Sequence, residues 1–160
     1  DWSNYRLIPD CIKSWIKNKN VVLRNPKSTR PWQHVLEAIW GYLLLAANLK
    51  KNNKLHGEAF NFGPDMNKNY KVIDILKKSK KNWPSIKWKI MAKHKFKENY
   101  LLNLNNNKAR RIIKWEPVLD INNTIKLTID WYKNYLKKNK DSIKKQSLKQ
   151  IKDFEKLLKI

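Results

Sequence analysis

Cysteine occurs once in these 160 residues, at Cys11, so no disulfide can form within the chain. Its place on the apolar side of a helical pattern reads as a small buried hydrophobe rather than a catalytic thiol. Histidine is nearly as scarce. His34, His56 and His94 lie far apart, with no Cys or carboxylate at ligand spacing, which excludes a metal site of the usual kind. The three glycines make no phosphate-cradling fingerprint, no P-loop and no Gly-x-Ser-x-Gly elbow, and no paired carboxylates stand out. The longest apolar run, Ala38 to Ala47, falls well short of the ~20 residues that cross a bilayer. With no membrane span and no signal peptide at the start, the expected location is the cytoplasm. The chain opens on Asp1 instead of Met and is read as a piece of a longer protein.

Acidic residues are also few, 13 against 36 lysines and arginines, for a formal net charge of +23. Charge of that size attracts nucleic acid and anionic metabolites alike. The lysines, however, are spread over the whole length among many asparagines, the pattern of a compositional bias on solvated faces, so no specific nucleic-acid partner is expected from charge alone. Eight tryptophans and six tyrosines supply large buried aromatics, and the length suits one domain or a large part of one.

Periodicity orders the chain. Ile8, Ile12, Trp15 and Ile16 predict an amphipathic helix, followed by a short strand in "VVLRNP". Leu36 to Leu49 is apolar on nearly every side and predicts a helix buried on most of its faces; "GEAFNFGP" predicts a short buried strand. Val72, Ile75 and Leu76 mark another helix that ends before Pro84. In "SIKWKIM", Ile86, Trp88 and Ile90 alternate with lysines, as in a half-exposed strand whose Trp88 faces the core. A short helix in "NNNKARRIIKWEP", a stripe from Ile121 to Leu136, and a Lys-rich helix with Leu148, Ile151, Phe154 and Leu158 inward complete the order. Alternation early and helices late predict the final part of an α/β domain with a small helical lobe.

Arginine is the scarce cation, and Arg6, Arg24 and Arg30 all precede the apolar helix. Its planar fork grips a phosphate at two points, which a lysine point charge cannot do. The alternative is a structural pair with a carboxylate such as Asp10 or Glu37, and chemistry alone leaves both open.

Four stretches, "DWSNYRLIPD", "RNPKSTRPWQHVLEAIWGYLLLA", "FNFGP" and "NNNKARRIIKWEP" with its following "WY", resemble in order and spacing the C-terminal half of the CDP-glucose 4,6-dehydratases, a branch of the extended short-chain dehydrogenase/reductase family. The second is the most specific; "NFGP" and "KWEP" recur through the wider family. The resemblance implies an α/β fold, the C-terminal portion of a Rossmann-type extended short-chain dehydrogenase with a small, mostly helical substrate-binding lobe. Residues 1–136 would be the nucleotide-sugar-binding portion with the last Rossmann strands, and 137–160 a solvated Lys-rich terminal helix. It also implies a lyase that oxidises the sugar of CDP-glucose at C4, eliminates water across C5 and C6 and returns the hydride to C6, a step in deoxysugar biosynthesis. Arg30 becomes a ligand of the nucleotide diphosphate; Arg24, Arg6, Trp32 and Glu98 become further substrate-binding positions. Two departures accompany Glu98: Lys97 stands where the family has His, and Asn105 where it has Asp. The family's Tyr-x-x-x-Lys pair and glycine fingerprint are absent, so no catalytic and no cofactor-binding residue is assigned within these residues. NAD would be held mainly by an N-terminal half, and the full-length enzyme would be a homodimer. Two rival readings remain: another nucleotide-sugar dehydratase or epimerase, and a non-enzymatic basic module binding nucleic acid, with "WPSIKWKIMAKHKFK" as a stacking platform.

Overall fold

The computed structural model describes residues 2–3, 6–91 and 101–159. Helix α1 (Leu7–Ile16) carries Pro9 in its first turn, where a missing N–H is harmless, and turns Pro9, Cys11, Ile12 and Trp15 inward. Strand β1 (Val21–Leu23) packs on α1 and pairs in parallel with β4 (Trp88–Ile90), Val21 opposite Trp88. Between these two strands the chain builds β2 (Thr29–Arg30), α2 (Val35–Leu49), a 3-10 turn (Asn53–Leu55), β3 (Tyr70–Lys71) and α3 (Val72–Ser79). β2 and β3 form an antiparallel ladder of two residues a side. Helices α4 (Asn107–Ile113), α5 (Ile121–Leu136) and α6 (Lys140–Leu158) follow, and α6 folds back along α5. The α/β fold with a mostly helical lobe is thus present.

Three apolar clusters hold it together. One joins α1, the β1–β4 pair, Leu76 of α3 and Tyr132 of α5, with Trp88 packed half-buried against it on the expected side. The second gathers Leu55, Ala109, Ile113 and Trp115 under the inner side of α2; the third stacks Ile75 on Ile121, Ile125 and Ile129. Cys11 lies wholly inside the first, where burial pushes its thiol up to about 12, so it is a neutral packing group and no nucleophile.

Three expectations are corrected. Helix α2, expected to be buried on most faces, buries only Glu37 and Gly41, while Val35, Tyr42 and Leu43 are 62%, 63% and 61% exposed. Its neighbours, α4, the 3-10 turn and Phe62, all lie on one side. The strand expected in 57–64 does not form, because a strand needs a partner edge and none lies beside it among the described residues. The segment instead runs as irregular chain beside α2 and α4: Phe62 packs edge-on against Tyr42 and Trp115, and Lys108 reaches the Glu58 carboxylate and the Ala59 carbonyl. In α6, Leu148 and Ile151 are 49% and 40% exposed, and Gln150 and Phe154 face inward. Polar bonds set this rotation: Trp131 Nε1 donates to Ser147 Oγ at 3.0 Å and Gln150 Nε2 to the Leu127 carbonyl at 2.9 Å.

Candidate functional site

The loop from Arg24 to His34 is built on α3 and β3. The Val72 and Ile73 amides donate to the carbonyls of Ser28 and Pro26 at 2.9 and 3.0 Å, and Arg30 pairs with Tyr70 across the ladder. Trp32 then turns back twice, its amide to the Arg30 carbonyl at 2.9 Å and its indole Nε1–H to the Tyr70 carbonyl at 2.9 Å. His34 ends the loop as the N-cap of α2, its Nδ1 accepting from the Leu36 amide at 3.4 Å. Burial lowers the His34 pKa, so the neutral ring that can accept this bond is the favoured form.

Glu37, one turn into α2, is 1% exposed, and its Oε1 accepts from the Val118 and Leu119 amides at 2.9 and 2.7 Å. The Trp115 indole donates to the Glu37 carbonyl at 3.2 Å, so α2 is tied to the segment leading into α5. Desolvation raises the Glu37 pKa, with the two amides pulling the other way, and Oε2 is buried without a partner. The carboxylate is therefore spent on backbone, and the alternative pairing of Arg30 with Glu37 is not formed.

Arg30 is half-buried and donates from Nη1 to the Thr29 carbonyl at 2.7 Å. Arg24 and Arg6 are exposed, at the end of β1 and just before α1, two elements that pack together. Neither pairs with Asp10 among the described residues. Glu98 lies outside the described residues, as do Lys97 and His94. Trp32 stands between two hollows. On one side is a cavity of about 490 Å3 reaching Pro9, Ile75, Thr128 and Gln150, with no charged side chain on its wall. On the other is a pocket of about 200 Å3 that brings together Asp65, Lys68, Tyr70, Arg110 and Asp120. Arg110 escaped sequence reasoning, although its rarity was the available signal; Asn106 Oδ1 accepts from its Nε at 3.2 Å and Glu116 lies 3.4 Å from Nη1.

The described residues do not fit a dinucleotide. A pyrophosphate cradle needs glycines free at a strand-to-helix turn. Here a Cβ on Gly41 would meet the Phe62 ring at 2.5 Å and one on Gly63 would meet Leu104 at 2.8 Å, while Gly57 serves a turn with φ of +80°. No three potential metal ligands gather among the described residues, and no helix is long and apolar enough to cross a membrane.

No family model matches the chain. The CDP-glucose 4,6-dehydratase of Salmonella typhimurium is 33% identical over 138 residues, 86% of this chain and 38% of that protein. The fold is shared with the UDP-glucuronic acid 4-epimerase of Bacillus cereus, solved with UDP-glucuronic acid and NAD (TM-score 0.69, 19% identity, 82% of this chain and 40% of that one). It is shared as well with the NAD-bound UDP-glucose-4-epimerase of Stenotrophomonas maltophila (TM-score 0.73, 12% identity, 87% and 43%). The dTDP-glucose 4,6-dehydratase of Bacillus anthracis, in complex with NAD, superposes with TM-score 0.59 at 17% identity, over 88% of this chain and 42% of that one. The chain spans about two fifths of the length of these relatives. Motif order, sequence identity and fold agree: this chain belongs to the nucleotide-sugar epimerase/dehydratase branch of the extended short-chain dehydrogenases and carries the C-terminal portion of their fold.

Proposed function

We propose that the chain is the nucleotide-sugar-binding part of a CDP-glucose 4,6-dehydratase, acting in the cytoplasm in deoxysugar biosynthesis, homodimeric when full length, with NAD held mainly by an N-terminal half. The observation that carries this reading is the construction of the Arg24–His34 loop. A two-residue ladder, a capped helix and a buried Glu37 clamp hold Arg30 half-buried, while Arg24 after β1 and Arg6 before α1 stay exposed. The 33% identity over 86% of the chain favours the cytidine nucleotide over other bases. The apolar outer face of α2 and the stretch 58–62, whose backbone joins no strand ladder among the described residues, fit a sheet continued by such an N-terminal half. In this reading Arg30 forks across the diphosphate, with Arg24, Arg6 and Glu98 around the same ligand and Trp32, bonded to the ladder partner of Arg30, part of the same substrate-binding site. Trp83 and Trp88 both pack half-buried against the core, which counts against the stacking-platform rival.

Titration of the 160-residue chain with CDP-glucose tests it. Arg30→Ala is expected to weaken binding by about tenfold to a hundredfold, the loss of a charged hydrogen-bond pair of roughly 1.5–3 kcal/mol, and Arg30→Lys to recover only part. An unchanged affinity with a lowered melting temperature retires Arg30 as a ligand. Tighter binding of UDP-glucose than of CDP-glucose moves the chain to another member of the same branch.

A further inference from the structure

The β2–β3 ladder has two residues a side, Thr29 opposite Lys71 and Arg30 opposite Tyr70, and so short a ladder holds no geometry on its own. It cannot lengthen through backbone beyond Arg30, because the next residue is Pro31, which has no N–H to donate. The Trp32 side chain supplies the missing donor. Its indole Nε1–H reaches the carbonyl of Tyr70, the very residue opposite Arg30, at 2.9 Å, while the Trp32 amide holds the Arg30 carbonyl at 2.9 Å. Arg30 is thus held from both sides by one residue, through its own carbonyl and through its ladder partner.

The indole N–H is fully used in this bond, since nitrogen carries one hydrogen there and the ring offers no other donor. Only the ring's apolar surface is left to face the hollows on either side of it. We infer that Trp32 is a positioning residue for Arg30: its N–H, by closing the ladder on Tyr70, sets where the Arg30 guanidinium meets a nucleoside diphosphate. The inference rests on the reading of Arg30 as a diphosphate ligand. It differs from direct stacking of Trp32 on the nucleotide, which would need a ring face and no N–H.

The test is titration of the 15N-labelled 160-residue chain with CDP, followed by NMR, for the wild type, Trp32→Phe, Arg30→Ala and the double variant. Phenylalanine keeps an aromatic face and removes the donor. Trp32→Phe is expected to shift the amide signals of Arg30, Tyr70 and Lys71 before any ligand is added, and to weaken CDP by about fivefold, the worth of one neutral hydrogen bond. Because the two residues act through one contact, the double variant should bind no more weakly than Arg30→Ala alone. Wild-type affinity in Trp32→Phe beside a weakened Arg30→Ala overturns the positioning role and leaves the Arg30 reading intact. Losses that multiply in the double variant assign Trp32 to the ligand directly and overturn it as well. Wild-type affinity in Arg30→Ala, or no CDP binding by the wild type, brings down the underlying reading together with this one. If Trp32→Phe does not fold, β-(3-benzothienyl)alanine introduced at position 32 by amber suppression replaces the N–H with sulfur at nearly constant shape, and the same outcomes apply to it.

Discussion

Helices α2 and α5 are nearly equal in length, 15 and 16 residues, yet they treat their apolar side chains in opposite ways. α5 is half polar, and it buries Ile121, Thr124, Ile125, Ile129 and Tyr132 along one stripe between α3 and α6. α2 is apolar almost throughout and buries an ionisable residue and a glycine. Burial therefore follows the number of faces that neighbours cover and not the hydrophobicity of the segment. A helix dressed for two-sided burial but covered on one side carries an outer face that has no partner among the described residues.

The largest effect that can break this comparison comes from matched truncations. Ile129→Ala on α5 is expected to lower the unfolding free energy by about 2–5 kcal/mol, whereas Leu43→Ala on the outer face of α2 should stay within about 0.5 kcal/mol, both read from urea unfolding of dilute samples. Equal losses at the two sites would mean that the outer face of α2 is covered in solution. Gly41→Ala sharpens the contrast within α2 itself. Gly41 sits on the inner side, where a methyl group meets the Phe62 ring at 2.5 Å, so a loss of about 1–3 kcal/mol is expected by the same measurement, larger than that of the bulkier outer Leu43.

The smallest effect concerns the ionisable groups at the start of α2, whose pH dependences oppose each other. His34 has a lowered pKa in the fold, so the unfolded chain takes up its proton first, and stability is lost as pH falls below the ordinary value of 6.5. Glu37 has a raised pKa, so the unfolded chain ionises first, and stability is lost as pH rises above the ordinary 4.5. Melting temperatures measured across this interval should separate the two. His34→Asn keeps a capping oxygen and is expected to remove the loss on the acid side. Glu37→Gln keeps an acceptor for Val118 and Leu119 and should remove the loss on the rising side. If either variant keeps the wild-type slope, that residue is not the titrating group.

What the sequence made legible was whatever is decided locally. The stripes of α1 and α5 could be read because each presents one apolar side at helical spacing, whereas Pro84 and Pro117 only bounded α3 and α4 from outside, since these helices end earlier, at Ser79 and Ile113. Thr29–Arg30 and Tyr70–Lys71 could not be read, since two residues carry no period and their pairing spans forty positions in the chain. The strand expected in 57–64 failed for a related reason: its β-like composition was real, but a strand is a relation between two segments. In α6, Leu148 and Ile151 lost the inward positions because Ser147 and Gln150 hold bonds to α5 that an apolar count ignores. At the candidate site, composition singled out Arg30 and the family resemblance supplied its role. The ladder and the indole bond that hold it, the Glu37 clamp and the pocket around Arg110 appear only in three dimensions.

The parallel pairing of β1 with β4 also carries an expectation about the order of assembly. Val21 meets Trp88 across a loop that contains α2, β3 and α3, so the entropy of closing that loop is lost before the first bond of the ladder forms. α5 and α6, by contrast, are joined by a turn of three residues, Lys137 to Asn139, and can zip together along the chain as each turn of helix forms. On loop-closure entropy the helical hairpin is expected to form early and the parallel pair late. In that order Trp15, Leu23 and Ile86, which end inside the first core, would be covered only at the late step, and association between copies is expected to compete with folding before it.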